Sequence, residues 1–307
     1  MTEIKVFVPA TIGNVGPGFD VLGLALDALG DEIGLSLNYG PSRVLKVTGR
    51  DADLIPIDPD RNVIVRSALA YLKRKGADSS VGVHVNVSRQ LPVSGGLGSS
   101  AAAAVGGALA AAHAFGDSFD DRDILEAALV GEAMVAGRHL DNIAPCYFGG
   151  LTLVQGIDPP VVQKIPVHSG FHVAVLTPRM QLSTKQARGV LPETLSTDRW
   201  TRQMSMSIGL AVGLSSGHLQ LVRDSFNDYF AEPARAHLIP DFQKVKQAAQ
   251  TAGALGCSIS GAGPSIFALC ENEQAAKAVS QEMNRACQQV AAEVFVAGIA
   301  RQGAMRL

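Results

Sequence analysis

One glycine-rich stretch of the sequence governs the interpretation of the whole chain. It reads Leu91-Pro92-Val93-Ser94-Gly95-Gly96-Leu97-Gly98-Ser99-Ser100-Ala101-Ala102. Glycines permit backbone conformations that are closed to other residues, and they let the main chain approach a ligand closely. The serines and alanines begin a predicted helix, whose first N–H groups have no partners within the helix. Such a helix terminus binds anions, and a nucleotide phosphate is a common occupant.

Three other interpretations of this stretch compete with a phosphate-binding loop. A Walker A loop requires a lysine directly after its glycines, and none is present, so that motif is excluded. The segment from Gly96 to Ala101 satisfies the GxGxx[GA] pattern of dinucleotide-binding proteins. However, the preceding pattern predicts antiparallel strands, and Asp117 and Asp120 follow the helix rather than a second strand. The third interpretation is a tight turn capped by serine. We favour a phosphate-binding loop.

Length, composition and charge are those of an ordinary globular protein. The chain has 307 residues, of which 47% are hydrophobic and 18% charged, and its formal net charge is −2. This length suffices for one large domain or two of ordinary size. Since neither sign of charge dominates, the sequence argues against a general nucleic-acid or membrane-surface binder. An anionic ligand must therefore be held by local groups.

Cysteine usage and the N-terminal sequence predict a cytoplasmic protein. The four cysteines are far apart and lack CxxC spacing, which is typical of reduced structural thiols. They are Cys146, Cys257, Cys270 and Cys287. The first ten residues do not have the basic and apolar regions of a signal peptide. The apolar stretch at 100–116 is shorter than the roughly 20 residues of a membrane span, so we predict a buried core helix.

The pattern of apolar residues predicts an α+β protein. A strand at 5–10 and a loop at 11–18 precede two strands, at 21–26 and 32–37, joined by a turn. Further strands are predicted at 44–49, 81–87, 151–155, 171–177, 257–260, 265–269 and 292–299. Helices are predicted at 62–75, 99–115, 121–136, 198–214, 241–252 and 273–288. The final order of helix, two strands, helix and strand resembles a split βαβ arrangement.

A proline-rich region marks the predicted boundary between two lobes. Pro159, Pro160 and Pro166 interrupt the pattern there. We predict an N-terminal ATP-binding lobe at 1–158 and a C-terminal α+β lobe at 159–307 that completes the substrate site. A cleft between lobes is a usual place for a ligand.

Four segments together resemble the GHMP kinases, the superfamily of galactokinase, homoserine kinase, mevalonate kinase and phosphomevalonate kinase. The glycine-rich loop is similar to the second signature of this superfamily. Residues 9–23 resemble the first signature in its homoserine kinase form, and residues 260–265 resemble the third. Residues 131–150, which include Glu132, also resemble homoserine kinases. The segments occur in the family's order and span nearly the whole chain.

The resemblance implies a fold and a reaction. The fold is the two-lobed α+β GHMP kinase fold, with an N-terminal lobe similar to ribosomal protein S5 and a C-terminal ferredoxin-like lobe. The reaction is the phosphorylation of the side-chain hydroxyl of L-homoserine by ATP and Mg²⁺, a step of threonine biosynthesis. Residues 92–102 would bind the ATP phosphates, while Ser100 and Glu132 would hold Mg²⁺. A homodimer is also implied.

The resemblance also implies a pocket for an amino acid. Arg188 and Arg235 match the family's carboxylate-binding positions, and a guanidinium group suits a carboxylate in charge and shape. Asn14 and Asp20 would bind the hydroxyl and ammonium ends of the substrate. The predicted substrate-binding residues are Asn14, Asp20, His139, Asn142, Thr184, Arg188 and Arg235.

Asn142 is the residue expected to position the reacting hydroxyl, with Ser100 and Glu132 as the other catalytic residues. Several superfamily members carry an aspartate near the position of Asp141 that can accept the hydroxyl proton. The homoserine kinase form implies transfer without a dedicated base, because a loose transition state needs little early proton removal. We therefore expect Asp141 to be structural. The segment 62–64 either contacts adenine or belongs to the core.

Two alternative functions use the same residues. A kinase for another small alcohol, such as a mevalonate-type acid, would need no partner for an ammonium group, and Asp20 therefore favours homoserine. A ligand-sensing relative without catalysis would be expected to lose the metal carboxylate or a loop serine. Glu132, Ser99 and Ser100 are all present, which favours an active kinase.

Overall fold

The computed structural model describes residues 2–116 and 118–307. Asp117, one of the two aspartates that follow the glycine-rich helix in the sequence, lies outside them. The strands are β1 (Ile4–Gly13), β2 (Leu22–Tyr39), β3 (Arg43–Gly49), β4 (Val81–Arg89), β5 (Leu151–Ile157), β6 (Pro160–Ile165), β7 (His172–Pro178), β8 (Gly256–Ile259), β9 (Ile266–Cys270), β10 (Ala292–Gly298) and β11 (Met305–Arg306). The α-helices are α1 (Val63–Arg74), α2 (Ser99–Phe115), α3 (Asp121–Glu132), α4 (Ile143–Phe148), α5 (Thr184–Gly189), α6 (Thr197–Ser216), α7 (Leu219–Asp224), α8 (Ala231–Arg235), α9 (Phe242–Thr251) and α10 (Glu273–Ala286).

Seven of the described strands form a first sheet, and α1, α2 and α3 pack together on it. The sheet order is β11-β1-β2-β4-β3, and β5 joins β2 while β6 joins β5. The β3–β4 pair is parallel and the other pairs are antiparallel. Helix α2 contacts β1, β2 and both neighbouring helices, so residues 101–112 are all buried. The predicted core helix is confirmed.

Four of the strands in the described ranges form the second sheet, in the order β10-β7-β9-β8. Along the chain, α9, β8, β9, α10 and β10 follow one another, which confirms the predicted order of helix, two strands, helix and strand. Side chains of β7 alternate between two cores: Val173 and Val175 join the large core shared with the first sheet. Ala174 and Leu176 instead join a core that includes residues of α9 and α10. Burying each valine contributes roughly 1.5–3 kcal/mol, so β7 ties the two lobes together.

The predictions for the first strands were partly wrong. The predicted loop at 11–18 begins too early, because Thr11, Ile12 and Gly13 still pair with β2. The strands predicted at 21–26 and 32–37 are one strand, β2. Its pairing with β1 jumps from Pro9–Gly30 to Thr11–Ala25. The glycine-containing segment is therefore a bulge, which inserts residues while the strand continues, and not a turn.

Short elements were not predicted, since two to six residues carry little periodic signal. They are α4, α5, α7, β6 and β11, together with α8. The helix predicted at 121–136 ends at Glu132. The boundary predicted after residue 158 falls in the turn between β5 and β6, which both belong to the first sheet; the division there stays a prediction. None of the helices in the described ranges is long and apolar enough to cross a membrane.

Candidate active site

A cavity of about 370 Å³ lies between the two lobes. Its volume falls within the range of about 300–1,000 Å³ that is usual for small-molecule sites. The glycine-rich loop lines it on one side and the segment 261–263 on the other. All seven predicted substrate-binding residues line it, together with Ser100 and Glu132. Pro92, Leu97, Ala101 and Ala102 do not line the cavity and are buried beside it.

The carbonyl groups of the glycine-rich loop are held by the second lobe. The Ser260 hydroxyl donates to the Gly96 carbonyl at 2.6 Å. The Ser265 hydroxyl and N–H both donate to the Gly95 carbonyl, at 2.5 and 3.2 Å. Ser260 and Ser265, at the two ends of the segment 260–265, therefore fix the glycine-rich loop.

The N–H groups of the same loop are left free to bind an anion. Thr11 N–H donates to the Leu97 carbonyl at 3.1 Å. Because a trans peptide directs its N–H away from its C=O, the N–H groups that follow these held carbonyls point the opposite way. No acceptor within the described residues takes the N–H groups of residues 94–98. Together with the start of α2, they offer a set of donors that suits an anion.

Left-handed backbone conformations make this loop possible. Ser94, Gly96 and Gly98 have φ values of 53°, 81° and 69°. At Gly98 a Cβ atom would collide with the Thr11 hydroxyl. Glycine is therefore required there for both its φ value and its lack of a side chain.

Glu132 is a buried carboxyl group with one free oxygen. It lies at the end of α3, only 4% exposed, and its Oε1 accepts a hydrogen bond from the Ser100 hydroxyl at 3.0 Å. Its Oε2 is buried and has no hydrogen-bond partner among the described residues. Burial, together with the nearby charge of Asp141, raises the pKa of Glu132 to about 8. Ser100 and Glu132 thus offer oxygen ligands that suit a hard cation.

A cation at this position would need ligands beyond the protein. Within residues 2–116 and 118–307, no group of three or more His, Cys, Asp or Glu side chains could hold a metal ion. Mg²⁺ commonly binds one or two protein oxygens together with substrate phosphates and water. The donor set of Ser100 and Glu132 fits that kind of site.

Asp20 and Arg188 form a two-point ion pair at the other end of the cavity. Arg188 Nη2 donates to Asp20 Oδ1 at 2.7 Å, and Nη1 donates to Oδ2 at 3.2 Å. Arg188 Nε is buried and has no partner within the described residues. His139 Nδ1 lies 3.7 Å from Asp20 Oδ2. Burial lowers the pKa of His139, so neutral imidazole is favoured at neutral pH.

The loop between β1 and β2 presents Asp20 to the cavity. Asn14 and Asp20 both have positive φ values, 67° and 58°, and the Asn14 Oδ1 accepts from the Asp20 N–H at 3.0 Å. Gln203 and Ser207 of α6 donate to the Pro17 carbonyl, at 2.7 and 2.6 Å. The second lobe therefore holds this loop in shape.

Asn14 also connects the first and third signature segments. Its Nδ2 donates to the Gly261 carbonyl at 2.9 Å. Both ends of its amide are thus engaged within the protein. Its predicted contact with substrate stays a prediction.

Two arginines flank one aromatic ring. Arg235 is 2% exposed and donates to the carbonyls of Ala187 and Gly261, at 2.9 and 3.0 Å. The guanidinium carbons of Arg188 and Arg235 each lie 5.4 Å from the centre of the Phe19 ring, a cation–π distance. Burial, together with the charge of Arg188, lowers the pKa of Arg235 to about 10.

Asp141 and Asn142 lie between the phosphate loop and this ion pair. The Thr11 hydroxyl donates to Asn142 Oδ1 at 2.9 Å, and Asn142 Nδ2 lies 3.4 Å from Asp141 Oδ2. Burial, together with the charge of Asp20, raises the pKa of Asp141 to about 7. Asp141 can therefore hold a proton near neutral pH.

Some cavity residues have no local signal in the sequence. Arg89 at the end of β4 lines the cavity, yet an isolated arginine after a strand is usually a surface residue. Leu54, Ile55 and Pro56 add an apolar wall. Asn62, in the segment considered for adenine, accepts from the N–H groups of residues 64 and 65 and caps α1.

The comparisons with known proteins agree with this architecture. The family model for the GHMP kinases N terminal domain matches residues 62–150, and the model for the GHMP kinases C terminal region matches residues 210–289. The crystal structure of L. major mevalonate kinase in complex with R-mevalonate shares the fold, with a TM-score of 0.71 at 18% identity over 96% of both chains. The chain has the sequence and the fold of a GHMP kinase, and the predicted two-lobed fold is confirmed.

Several relatives are much more similar. The chain is 35% identical to the homoserine kinase of Chlorobium phaeobacteroides (strain BS1), with 99% of each chain covered. It is 36% identical to that of Pyrococcus furiosus, covering 97% of this chain and 98% of the other. The crystal structure of homoserine kinase from Cytophaga hutchinsonii superimposes with a TM-score of 0.93 at 38% identity, covering 100% of this chain and 98% of the other. The chain belongs to the homoserine kinase family.

Proposed function

We propose that the chain catalyses the ATP-dependent phosphorylation of the side-chain hydroxyl of L-homoserine, giving O-phospho-L-homoserine for threonine biosynthesis. The observation that carries this proposal is a single cavity with an anion-binding loop at one end and the Asp20–Arg188 pair at the other. The first suits a nucleotide triphosphate and the second suits an amino acid. Relatives named homoserine kinase cover nearly the whole chain.

The ATP phosphates would bind to the N–H groups of residues 94–98 and to the start of α2. The partial positive charge of a helix N-terminus favours anions, and phosphoryl transfer depends mainly on positioning and on neutralising charge. The apolar wall at residues 54–56 lies in the same cavity and offers a surface for the base.

We also propose that Ser100 and Glu132 hold Mg²⁺. The support is the buried Glu132 Oε2, which has no partner within the described residues. A cation beside this oxygen would favour the ionised carboxyl group and offset the cost of burying it. When bound, the ion would neutralise charge on the phosphates.

The ion pair of Asp20 and Arg188 is a site for an amino acid. A homoserine zwitterion carries the same two charges. Its carboxylate can therefore pair with Arg188 and its ammonium with Asp20, which leaves neither side chain with an unpaired charge. Arg188 Nε, buried and without a partner among the described residues, gives a further donor for the carboxylate. Arg235 adds positive charge nearby, and His139 and Thr184 complete the wall.

Asn142 would position the acceptor hydroxyl. Its Oδ1 is occupied by the Thr11 hydroxyl, which leaves Nδ2 to donate to the hydroxyl oxygen of the substrate. Transfer through a loose transition state needs no strong base. We therefore keep Asp141 as a structural residue that fixes Asn142, with which it is in contact.

We also propose a division into lobes, an oligomeric state and a location for the protein. Residues 1–158 would form the ATP-binding lobe and residues 159–307 the lobe that completes the substrate site, with β6 attached to the first sheet. The protein would be a homodimer, as implied by its family, and would work in the cytoplasm. Size-exclusion chromatography with light scattering tests the oligomeric state.

A coupled ADP-release assay with Mg²⁺ and ATP tests the proposed function. The acceptors are L-homoserine, L-threonine, L-serine, mevalonate and galactose. We expect selective turnover of L-homoserine that is abolished in Glu132→Ala. Glu126→Ala, on α3 but outside the residues that line the cavity, is the matched control. Turnover of a different alcohol would overturn the substrate, and ATP binding without any turnover would indicate a ligand sensor.

A further inference from the structure

Arg89 is a buried arginine at the base of the phosphate loop. It is the last residue of β4, its side chain is only 2% exposed, and it lines the cavity. Its Nη2 donates to two oxygens, the Leu91 carbonyl at 2.8 Å and the Ser99 hydroxyl at 2.7 Å. Its Nε is buried without a partner among the described residues. Burying a guanidinium group is costly, so this position calls for an explanation.

Asp31 compensates the charge of Arg89 and anchors the start of the loop. The Asp31 carboxylate lies 3.7 Å from Arg89 Nη1 and accepts from the N–H groups of Gln90 and Leu91, at 2.7 and 2.9 Å. The pair therefore holds both ends of the loop. Asp31 fixes residues 90 and 91, and Arg89 fixes the first residue of α2.

The hydroxyl groups of the neighbouring residues Ser99 and Ser100 differ in their hydrogen bonding: one accepts and the other donates. Ser99 Oγ accepts from Arg89, and a guanidinium group can only donate. The proton of Ser99 must therefore point elsewhere, and no acceptor within the described residues takes it. Ser100 instead gives its proton to Glu132, which leaves its lone pairs free. Ser99 is thus prepared as a donor to an anion, and Ser100 as a ligand to a cation.

We propose that Arg89 is a positioning residue, which directs the Ser99 hydroxyl proton toward the nucleotide phosphates and places a fixed positive charge behind the loop. The loop itself contains no lysine, so Arg89 supplies a charge that a Walker A loop takes from its own lysine. The inference rests on the proposed function, in that the anion is taken to be the phosphate chain of ATP.

Binding of ADP and of adenosine to Arg89→Met tests this role directly. Hydrogen bonds of charged groups are strong enough that we expect the Kd for ADP to rise about ten- to hundredfold. The Kd for adenosine, which has no phosphate, should stay within about twofold. In steady state the KM for ATP should rise, while the KM for homoserine stays unchanged. Arg66→Met, an exposed arginine of α1 outside the cavity lining, is the matched control.

Two further variants separate positioning from charge and from folding. Ser99→Ala should weaken ADP binding. The double variant Arg89→Met/Ser99→Ala should bind ADP with about the same affinity as Arg89→Met alone, because the two residues act together. Arg89→Lys should recover part of the lost ADP affinity by restoring the charge. Arg89→Met leaves Asp31 as an unpaired buried charge, which can prevent folding. In that case the double variant Asp31→Asn/Arg89→Met, which removes both charges, is used for the binding measurements instead.

Two outcomes would overturn the proposal. One is an ADP affinity unchanged in a folded Arg89→Met protein. The other is an equal loss of adenosine and ADP affinity, which would indicate general collapse of the site. Failure of the proposed function can be told apart from failure of this inference. If the unaltered protein binds ADP but phosphorylates no alcohol, the proposed function is wrong, and the comparison of ADP with adenosine still tests the role of Arg89.

Discussion

The Ser100 hydroxyl donates to Glu132 Oε1 at 3.0 Å, and this bond joins the first turn of α2 to the last residue of α3. It satisfies one oxygen of a buried carboxyl group and leaves the other without a partner within the described residues. A fold organised for stability alone would satisfy both oxygens or replace the residue. The unsatisfied oxygen therefore points to function.

Glu132→Gln is expected to lower activity and raise stability at the same time. The amide keeps the shape of the side chain and removes the charge, so kcat should fall about 10²-fold or more, with a raised requirement for Mg²⁺. The melting temperature should increase, since a carboxyl group that is costly to bury has been removed. Glu126→Gln is the control. An unchanged kcat at limiting Mg²⁺ would contradict the metal assignment.

The pH dependence of stability should carry the signature of Glu132. Its pKa in the folded protein is raised to about 8, whereas in the unfolded chain it is about 4.3. Between these values the folded state retains a proton that the unfolded state releases, so the free energy of unfolding falls as pH rises. The contribution is at most about 1.4 kcal/mol per pH unit.

Urea unfolding of the ligand-free protein between pH 5 and pH 8 measures this slope. In Glu132→Gln the slope should be shallower by the contribution of that one group. A residual slope is expected from Asp141, whose pKa is also raised, to about 7. Parallel slopes in the two proteins would show that Glu132 is ionised throughout.

Asp20→Asn should change which acceptors are used. Loss of the carboxylate removes the partner of the substrate ammonium, so the KM for L-homoserine should rise about ten- to hundredfold. The KM for 4-hydroxybutyrate, which lacks an ammonium group, should change little, and so should the KM for ATP. Equal increases for both acceptors would mean that Asp20 only holds Arg188 in place.

Asn142→Ala should reduce kcat about 10²-fold with little effect on the KM for ATP, because the acceptor hydroxyl loses its positioning group. Thr11→Val, which removes the hydrogen bond to Asn142 Oδ1, should give a smaller loss. Asp141→Asn should retain at least about a tenth of the activity if no dedicated base is needed. A loss in Asp141→Asn as large as that in Asn142→Ala would identify Asp141 as the base.

Gly98→Ala should disable the phosphate loop. Its φ of 69° strains any residue with a Cβ atom, and that atom would collide with the Thr11 hydroxyl. We expect ADP affinity to fall about tenfold or more. Gly116→Ala at the other end of α2, where a Cβ atom meets nothing within 4 Å, should leave affinity unchanged. Equal behaviour of the two variants would show that the loop adapts.

Local pattern accounts for the parts of the fold that were predicted well. The sequence of α2 indicated a buried helix, because nearly all of its residues are small or apolar. The turn predicted within β2 is a bulge. A glycine within an apolar run is compatible with a turn and with a bulge, so the sequence pattern does not separate the two. Only pairing with β1 distinguishes them.

Neighbouring residues alone are enough to identify the glycine-rich loop, the order of elements in the second lobe and the residues that match the family's motifs. The tertiary structure decided how they interact. Asp20 and Arg188 are 168 positions apart, and whether they form an ion pair depends on how the lobes meet. Burial decided the rest: it raises the pKa of Glu132 and encloses Arg89 with Asp31. Burial is a property of the packed chain, because it is set by residues distant in sequence that exclude water from the site.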